Sequence, residues 1–175
     1  ISGYDEKNHE IEYNFSESDK VYTYAMEHGK NARGHTLVWH KHEPKKVLDK
    51  YIEDSLGCTL DEYKEKHPDE FFEKRKELTK DFLESYMKKM GEQYPNCYCW
   101  DVLNEIVPEL EKYPPQEGAP TEEERKDGLR HSMWYEYLGE EFYIDVLEIA
   151  RKNLPEDTKL FYNEFGEQHP EKRQA

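Results

Sequence analysis

The sequence predicts an α/β fold organised around a parallel β-sheet. Three short runs rich in apolar, aromatic and β-branched residues, at 33–40, 97–105 and 159–164, have the composition of buried strands. Longer stretches with apolar residues at helical spacing precede these runs. Strands that alternate with helices form right-handed βαβ units, so the three strands are expected to lie parallel in a single domain over residues 1–175.

The first helix is predicted over residues 16–28. Ser16 is expected to cap it, because Asp19 completes a capping-box-like pair three residues later. Gly29 supplies the stop signal, since glycine adopts the left-handed conformation that ends many helices. The strand at 33–40 follows, and together they form the first helix–strand unit.

The rest of the chain is predicted to continue this alternation with two irregular segments. A charged stretch at 56–68 is interpreted as an insertion without regular structure, and an amphipathic helix is predicted at 70–91. The segment at 108–127 is rich in proline and glutamate and is predicted to be a long surface loop. A last helix is expected at 133–153, ending before Pro155 and leading into the third strand.

The composition favours a soluble protein with a neutral or cationic ligand. The 175 residues include 25 Lys and Arg against 40 Asp and Glu, a formal charge of −15 that repels nucleic acid and anionic membrane surfaces. The 14 Tyr, 7 Phe and 3 Trp exceed the needs of a small core, and such rings can serve as platforms for the apolar faces of a ligand. Because the chain opens on Ile1, it is expected to be internal to a longer or processed protein.

The three cysteines are expected to be free thiols. Cys97 and Cys99 would point to one face of the second strand, where their geometry does not suit a disulfide between them. A zinc site that adds the distant Cys58 is a weaker alternative, since the CxxC spacing typical of zinc ligands is absent.

The second strand ends in an amide followed by a carboxylic acid, Asn104 and Glu105. Polar groups at the carboxyl ends of parallel strands are where α/β proteins place ligands, which makes Glu105 a candidate general acid. Neighbouring residues of a regular strand point to opposite faces, so a bulge or the end of the strand must lie here if both are to reach one pocket. The alternative is an ordinary loop or helix-cap pair.

The first strand offers two further candidates, His35 and Trp39. With Leu37 they are expected to share one strand face, where the indole of Trp39 is suited to stacking on a sugar ring. An alternative from another class is a divalent-metal site formed by His40 and His42 with an acid such as Glu43 or Glu105.

The third strand, like the second, ends in Asn-Glu. The two strand-end glutamates, Glu105 and Glu164, suggest the two-carboxylate mechanism of glycoside hydrolysis.

The motifs on these strands resemble those of a known enzyme family. RGHTLVWH at 33–40 and WDVLNE at 100–105 are similar to the third- and fourth-strand signatures of glycoside hydrolase family 10, the endo-β-1,4-xylanases. The supporting matches are YNFS at 13–16 with Asp19, Arg130 with Ser132 and Trp134, and LFYN at 160–163. The resemblance spans nearly the whole chain apart from the 56–68 stretch and the loop after Pro108.

The resemblance implies a partial (β/α)8 TIM barrel, with about three parallel strands that correspond to the third to fifth of the family. It implies retaining hydrolysis of xylan or xylo-oligosaccharides, with no metal or cofactor in catalysis. Glu105 resembles the family's acid/base, and Asn104 its ligand for the 2-hydroxyl of the sugar that is cleaved. His35 and Trp39 resemble glycone-binding residues, and Asp101 a supporting group.

The resemblance also implies what the chain does not supply. The family's nucleophile lies on the seventh strand, so the 175 residues alone are expected to be inactive and to need the other barrel segments as partners. Glu164 stands where the family has an Asp and is therefore not expected to be the nucleophile. The protein is expected to be secreted or at the cell surface, and a non-catalytic xylo-oligosaccharide-binding domain is the alternative function.

Overall fold

The computed structural model describes residues 1–108 and 120–166, and in them the chain forms five strands, seven α-helices and one 3₁₀ helix, His40–His42. The strands are β1 (Gly3–Asp5), β2 (Glu10–Glu12), β3 (Ala32–Trp39), β4 (Cys97–Asn104) and β5 (Lys159–Asn163). The helices are α1 (Ser16–Glu27), α2 (Lys45–Leu56), α3 (Leu60–Lys66), α4 (Phe71–Gln93), α5 (Glu122–Asp127), α6 (Met133–Leu138) and α7 (Phe142–Asn153).

The three predicted strands form one parallel sheet in the order β3-β4-β5, which confirms the α/β fold. Trp39 of β3 lies opposite Asn104 of β4, and Asn104 lies opposite Asn163 of β5. The carboxyl ends of the three strands are therefore level. Polar side chains that follow them are gathered at one edge of the sheet.

The core lies between the sheet and the helices α4 and α7. Phe82, Leu83 and Met87 of α4 are fully enclosed, as is Val146 of α7. The central strand β4 is buried along almost its whole length, as the apolar run predicted. Burial of these side chains provides most of the stabilisation of the sheet against its helices.

Two elements near the start of the chain were not predicted. β1 and β2 form an antiparallel hairpin, and the Tyr4 hydroxyl on β1 donates to Asp54 Oδ2 of α2 at 2.7 Å. Each hairpin strand has three residues, too few for a periodic pattern to be visible in the sequence. The helix α2 starts immediately after Pro44, and its apolar residues recur at helical spacing, so the sequence did carry a signal for it: Val47, Leu48, Tyr51, Ile52 and Leu56.

The interpretation of 56–68 as a stretch without regular structure was wrong. Residues Leu60–Lys66 form α3, whose first turn is closed by a capping box in which Thr59 and Glu62 exchange hydrogen bonds. A short helix held by its caps needs few apolar residues, so a highly charged composition does not exclude a helix here. Whether the stretch is an insertion relative to the family stays a prediction.

The long loop predicted at 108–127 is only partly within the described residues. Positions 109–119 lie outside them. At the end of the segment, Glu122–Asp127 is helical rather than irregular, with a second capping box between Thr121 and Glu124. Gly128 ends this helix at φ 74°, a left-handed conformation that suits glycine.

The first helix was predicted correctly, but its cap was not. Asn14, rather than Ser16, supplies the local side-chain acceptor, because its Oδ1 accepts from the backbone N–H of Ser16 at 3.0 Å. Asp19 turns away from the helix end and accepts from Gln93 and from the Tyr94 hydroxyl, each at 3.0 Å. A tertiary contact with the end of α4 thus replaces the predicted local pair.

The single helix predicted at 133–153 is two helices. α6 ends at Leu138, and Gly139 follows at φ 88°, so the chain changes direction before α7. Ser132 caps α6 by accepting from the Tyr135 backbone N–H. The apolar spacing continues across the break because both helices bury one face in the same core.

The predictions for the cysteines and for strand burial are confirmed. Cys97 and Cys99 are buried free thiols, Cys58 is partly exposed and free, and burial raises the pKa of the Cys97 and Cys99 thiols.

Within residues 1–108 and 120–166, no helix combines the length and the apolar character that a membrane span requires.

Candidate active site

Glu105 follows the last residue of β4 and leaves the strand in a left-handed conformation, with φ 55°. Its backbone N–H still donates to the carbonyl of Asn163 at 2.9 Å, so the turn begins within the sheet. Asn104, the final strand residue, is only 2 % exposed. The change of backbone conformation frees Glu105 from strand alternation, which resolves how adjacent Asn and Glu side chains can serve one site.

Arg130 fixes the backbone around this turn. Its Nε donates to the carbonyl of Glu105 at 3.1 Å, and its backbone N–H donates to the carbonyl of Ile106 at 2.7 Å. Non-glycine residues with positive φ are uncommon and persist where surrounding contacts hold them. The conformation of Glu105 therefore depends on a residue 25 positions later in the chain.

The carboxylate of Glu105 is held by two residues from the end of β3. The indole Nε1–H of Trp39 donates to Glu105 Oε2 at 2.9 Å, and the Lys41 ammonium lies 3.8 Å from the same oxygen. The Glu105 side chain is 17 % exposed, so it is enclosed but not sealed from solvent. A carboxyl group in this setting can exchange a proton with a ligand in the cleft.

Asn104 is oriented by the end of the third strand. Its Oδ1 accepts from Asn163 Nδ2 at 2.6 Å. This bond commits the oxygen of the Asn104 amide to the protein. The NH₂ group of Asn104 is then the end of the amide suited to donate to a ligand hydroxyl.

Asp101 of β4 holds two side chains of the neighbouring strand β3, Arg33 and His35. The residue is 1 % exposed, and Arg33 approaches its carboxylate with two groups, Nε at 3.0 Å from Oδ2 and an Nη at 2.7 Å from Oδ1. His35 Nδ1 lies 2.8 Å from Asp101 Oδ2. The carboxylate can only accept, so a neutral His35 carries its proton on Nδ1 and presents Nε2 as an acceptor.

His35 and Trp39 come together as predicted, but the strand does not alternate regularly between them. Their ring centroids are 6.1 Å apart, and Leu37, predicted on the same face, borders the same cleft although it is only 6 % exposed. The pairing of β3 with β4 shifts register between His35 and Val38, which breaks the period of two. The peptide bond between His35 and Thr36 is cis.

Two adjoining cavities connect the candidate residues. His35, Trp39 and His42 line a cleft of about 600 Å³. Asn104 and Glu105 line a small cavity next to it, together with Arg130. Trp39 and Trp134 line both spaces, so His35, Trp39, Asn104 and Glu105 each border one of two neighbouring cavities, whereas Asp101 and Glu164 line neither.

Sequence reasoning missed three contributors to the site: Arg33, Lys41 and Arg130. Arg33 lies two residues before His35, so a regular strand would place both side chains on one face. In the structure both contact Asp101. Lys41 follows the strand in a short 3₁₀ turn, and nothing local indicates its approach to Glu105. Arg130 was noted as part of a motif, but its contact with Glu105 depends on tertiary structure.

The residues of the alternative metal site are used in other ways. Among residues 1–108 and 120–166, no group of three or more His, Cys, Asp or Glu side chains could hold a metal ion. Glu43 Oε1 accepts from the Met133 backbone N–H at 2.7 Å, and the His42 ring packs edge-on against Trp39 at 4.9 Å. The described residues therefore offer no support for a metal-dependent hydrolase.

Glu164 has a backbone-binding role at the end of β5. Its Oε2 accepts from the Val107 N–H at 3.2 Å, and its Oε1 accepts from the Phe165 N–H at 3.0 Å. The Tyr162 hydroxyl also donates to it. These contacts tie the loops after β4 and β5 to each other.

Comparison with known proteins identifies the family. The model of glycosyl hydrolase family 10 matches residues 4–175. This chain belongs to glycosyl hydrolase family 10. Its three parallel strands with their helices are thus part of the family's barrel, and the described residues do not close that barrel.

Relatives of this family 10 chain include enzymes and solved structures. Endo-1,4-beta-xylanase A of Halalkalibacterium halodurans is 31% identical over 165 residues, 94% of this chain and 36% of that protein. Xylanase B from Clostridium stercorarium F9 superimposes with a TM-score of 0.69 at 26% identity, over 94% of this chain and 43% of that structure. The Clostridium thermocellum xylanase 10B structure, complexed with xylohexaose, superimposes with a TM-score of 0.67 over 99% of this chain and 31% of that one; its 24% identity supports the fold alone. The chain thus spans less than half the length of each.

In this family 10 chain, replacing Asp101 by Asn is expected to change the tautomer of His35. An amide can turn its NH₂ group toward Nδ1, which would then accept and leave the proton on Nε2. The measurement is the ¹⁵N chemical shifts of the His35 ring at a pH where the ring is neutral. In the parent protein they should show the proton on Nδ1. In D101N the form with the proton on Nε2 should increase. The same tautomer in both proteins would show that Asp101 does not orient the ring.

Proposed function

We propose that this chain is the part of a retaining endo-β-1,4-xylanase that carries the acid/base. The observation that carries the proposal is the placement of Glu105. It is an enclosed carboxylate at the carboxyl end of a central parallel strand, hydrogen-bonded by Trp39 and bordering a cleft. The names of the curated relatives support xylan as the substrate class.

Glu105 acts twice in the proposed mechanism. It first donates a proton to the glycosidic oxygen as the bond to the leaving sugar breaks. It then takes a proton from the water that attacks the covalent glycosyl-enzyme, so the same carboxyl group serves as acid and as base. The nucleophilic carboxylate that forms the covalent intermediate is supplied by a segment outside these 175 residues.

Asn104 holds the sugar that undergoes cleavage. Its NH₂ group, left for a ligand by the bond between its oxygen and Asn163, donates to the 2-hydroxyl. A hydrogen bond at this hydroxyl strengthens as oxocarbenium character develops in the transition state. The buried amide pair therefore contributes more to the transition state than to ground-state binding.

His35 and Trp39 bind the non-reducing side of the substrate. The Nε2 acceptor of His35, fixed by Asp101, receives a sugar hydroxyl. The indole of Trp39 offers a ring face to the sugar while its N–H holds Glu105, so it joins substrate binding to the position of the acid. Asp101 acts through His35 and is a positioning residue.

The proposed substrate class also suggests the cellular location of the protein. Xylan is a polymer, so we propose that the protein acts outside the cell, in secreted or surface-bound form. The formal charge of −15 is compatible with a neutral polysaccharide and unfavourable for nucleic acid. The other barrel segments of the protein are its proposed partners in catalysis.

The stereochemistry of the product tests the proposal. A protein that joins this chain to its remaining barrel strands is expected to release xylo-oligosaccharides whose new reducing end is first seen as the β-anomer, because double displacement retains configuration. Proton NMR of the anomeric signals at early times measures this. The purified 175-residue chain is the matched control and is expected to give no turnover. Initial α-anomer, or robust Glu105-dependent turnover by the 175 residues alone, would overturn the proposal.

A further inference from the structure

We propose that His131 is a positioning residue, which anchors Arg130 to helix α5 and thereby holds the backbone of Glu105 in its left-handed turn. The catalytic meaning of this arrangement rests on the proposed role of Glu105. The contacts themselves do not depend on that role.

The connection begins at the turn after β4. Arg130 contacts three consecutive carbonyls there: its Nε donates to Glu105 at 3.1 Å, its backbone N–H to Ile106 at 2.7 Å, and an Nη to Val107 at 3.5 Å. Arg130 thus serves the carbonyl groups of the turn, while the backbone N–H groups of Glu105 and Val107 bond to Asn163 and Glu164. Movement of Arg130 would release the conformation that directs the Glu105 carboxylate toward Trp39.

His131 fastens the next position to helix α5 in two ways. Its backbone N–H donates to Glu124 Oε1 at 2.8 Å, and its Nε2 lies 2.7 Å from Asp127 Oδ2. The imidazole also stacks on the Tyr135 ring, with centroids 3.9 Å apart and planes inclined by 17°. These contacts leave little freedom for His131, and therefore for the adjacent Arg130.

Asp127, the residue of α5 that contacts the His131 ring, is hydrogen-bonded to two further residues. Asp127 Oδ2 accepts from the Tyr135 hydroxyl at 3.1 Å as well as from His131, and its Oδ1 accepts from the Leu129 N–H at 2.9 Å. Partial burial would raise the pKa of Asp127, but the hydrogen bonds from His131, Leu129 and Tyr135 outweigh it and lower that pKa. The carboxylate is thus kept as an acceptor. The cluster joins α5 to the start of α6 through hydrogen bonds to the Asp127 carboxylate.

The geometry favours positioning over direct contact with substrate. His131 is directed toward α5 and Tyr135 and does not line either cavity at the candidate site. Arg130 and Glu105 line the small cavity together. A change at His131 should therefore alter the placement of Glu105 while leaving the chemistry of the cleft walls unchanged.

The indole N–H resonance of Trp39 provides a direct readout, because this group donates to Glu105 Oε2. In ¹H–¹⁵N spectra of the 175-residue chain, W39F assigns the signal. H131A is expected to shift it upfield, toward an indole without a carboxylate acceptor. H131Q, whose amide nitrogen can again donate to Asp127, is expected to recover part of the shift. D127N, which keeps the ring and its stacking, should shift the signal in the same direction as H131A.

A second histidine supplies the matched control. His67 stacks on Tyr63 four residues earlier at the end of α3, with centroids 4.7 Å apart, as His131 stacks on Tyr135. H67A is expected to leave the Trp39 signal unmoved. The indole signals of Trp100 and Trp134, both buried, report whether each variant is folded.

The outcomes separate the two proposals. An unmoved Trp39 signal in a folded H131A or D127N protein would overturn the positioning role, and so would an equal shift in H67A. If H131A does not fold, D127N decides by the same criterion. If the signal moves but Glu105 proves dispensable for xylan hydrolysis, the positioning role stands and the proposed function fails.

Discussion

Replacement of Glu105 by Gln is expected to lower xylan turnover about 10²- to 10⁴-fold, the usual contribution of a positioned general acid or base. Gln keeps the size of the side chain and its oxygen can still accept from the Trp39 indole, but it cannot donate an acidic proton to the leaving oxygen. The measurement is the initial rate of reducing-sugar release by a protein that contains the chain and its nucleophile.

Glu164→Gln is the matched control for this loss. Glu164 follows the neighbouring strand β5 and accepts from the Val107 N–H through Oε2 and from the Phe165 N–H through Oε1, so the single oxygen of Gln can keep one of these two bonds. Its turnover of xylan should stay close to that of the parent. A loss in E164Q as large as that in E105Q would mean that the two strand-end glutamates act as a pair.

Replacement of Gly34 by Ala is expected to cause a clear loss of stability. An added Cβ would lie 2.1 Å from Cε3 of Trp100, a buried ring on the neighbouring strand β4. Overpacking of this kind costs about 1–3 kcal/mol, and the fixed position of the ring places Gly34 toward the upper end of that range. Urea or thermal unfolding of the purified chain measures the change in the free energy of unfolding.

Gly3 offers the matched control for Gly34. An added Cβ there would lie 2.5 Å from Glu12 Oε2, the end of a flexible side chain on an exposed hairpin strand, which can move aside. Gly3→Ala should therefore change stability little. In the Gly34→Ala background, Trp100→Leu should restore part of the loss, because it removes the atoms that clash. A Gly34→Ala protein as stable as the parent would contradict the close contact between β3 and β4.

The sheet could be predicted from sequence because its strands carry an unambiguous signal. β4 combines a continuous apolar and aromatic run with an abrupt polar end, and this pattern located both the buried strand and Glu105. Parallel pairing then followed from the helices between the strands. As a consequence of that pairing, the three strands end at the same level of the sheet, with Trp39, Asn104 and Asn163 opposite one another.

The errors in secondary structure arose where local caps or tertiary packing decide the conformation. α3 is closed by a capping box, so it needs no long apolar stripe. The break at Gly139 is invisible to periodicity, because α6 and α7 both contribute buried residues to one core. Asp19 left its predicted capping role for a contact with Gln93 and Tyr94, which are more than 70 residues away.

In the candidate site, too, strand positions could be predicted from sequence, whereas contacts that depend on tertiary structure could not. Strand positions and family motifs predicted His35, Trp39, Asn104 and Glu105, and in the structure these residues border two neighbouring cavities. The register of β3 with β4 shifts between His35 and Val38, an irregularity that the sequence pattern did not indicate, although Leu37 still borders the cleft with His35 and Trp39. The dependence of Glu105 on Arg130 arises from a contact across 25 residues, for which sequence alone gives no geometric signal.

The measurement that tests the acid/base role of Glu105 most directly compares two leaving groups in the Glu105→Ala enzyme. The dinitrophenolate group of a dinitrophenyl xylobioside leaves without needing a proton, so the step that forms the glycosyl-enzyme should survive. Azide added to the reaction should then attack the glycosyl-enzyme and give a β-xylobiosyl azide. On xylan, whose leaving group needs a proton, turnover should fall about 10²- to 10⁴-fold. Equal losses on both substrates, with no β-azide product, would contradict the assignment of Glu105 as the acid/base.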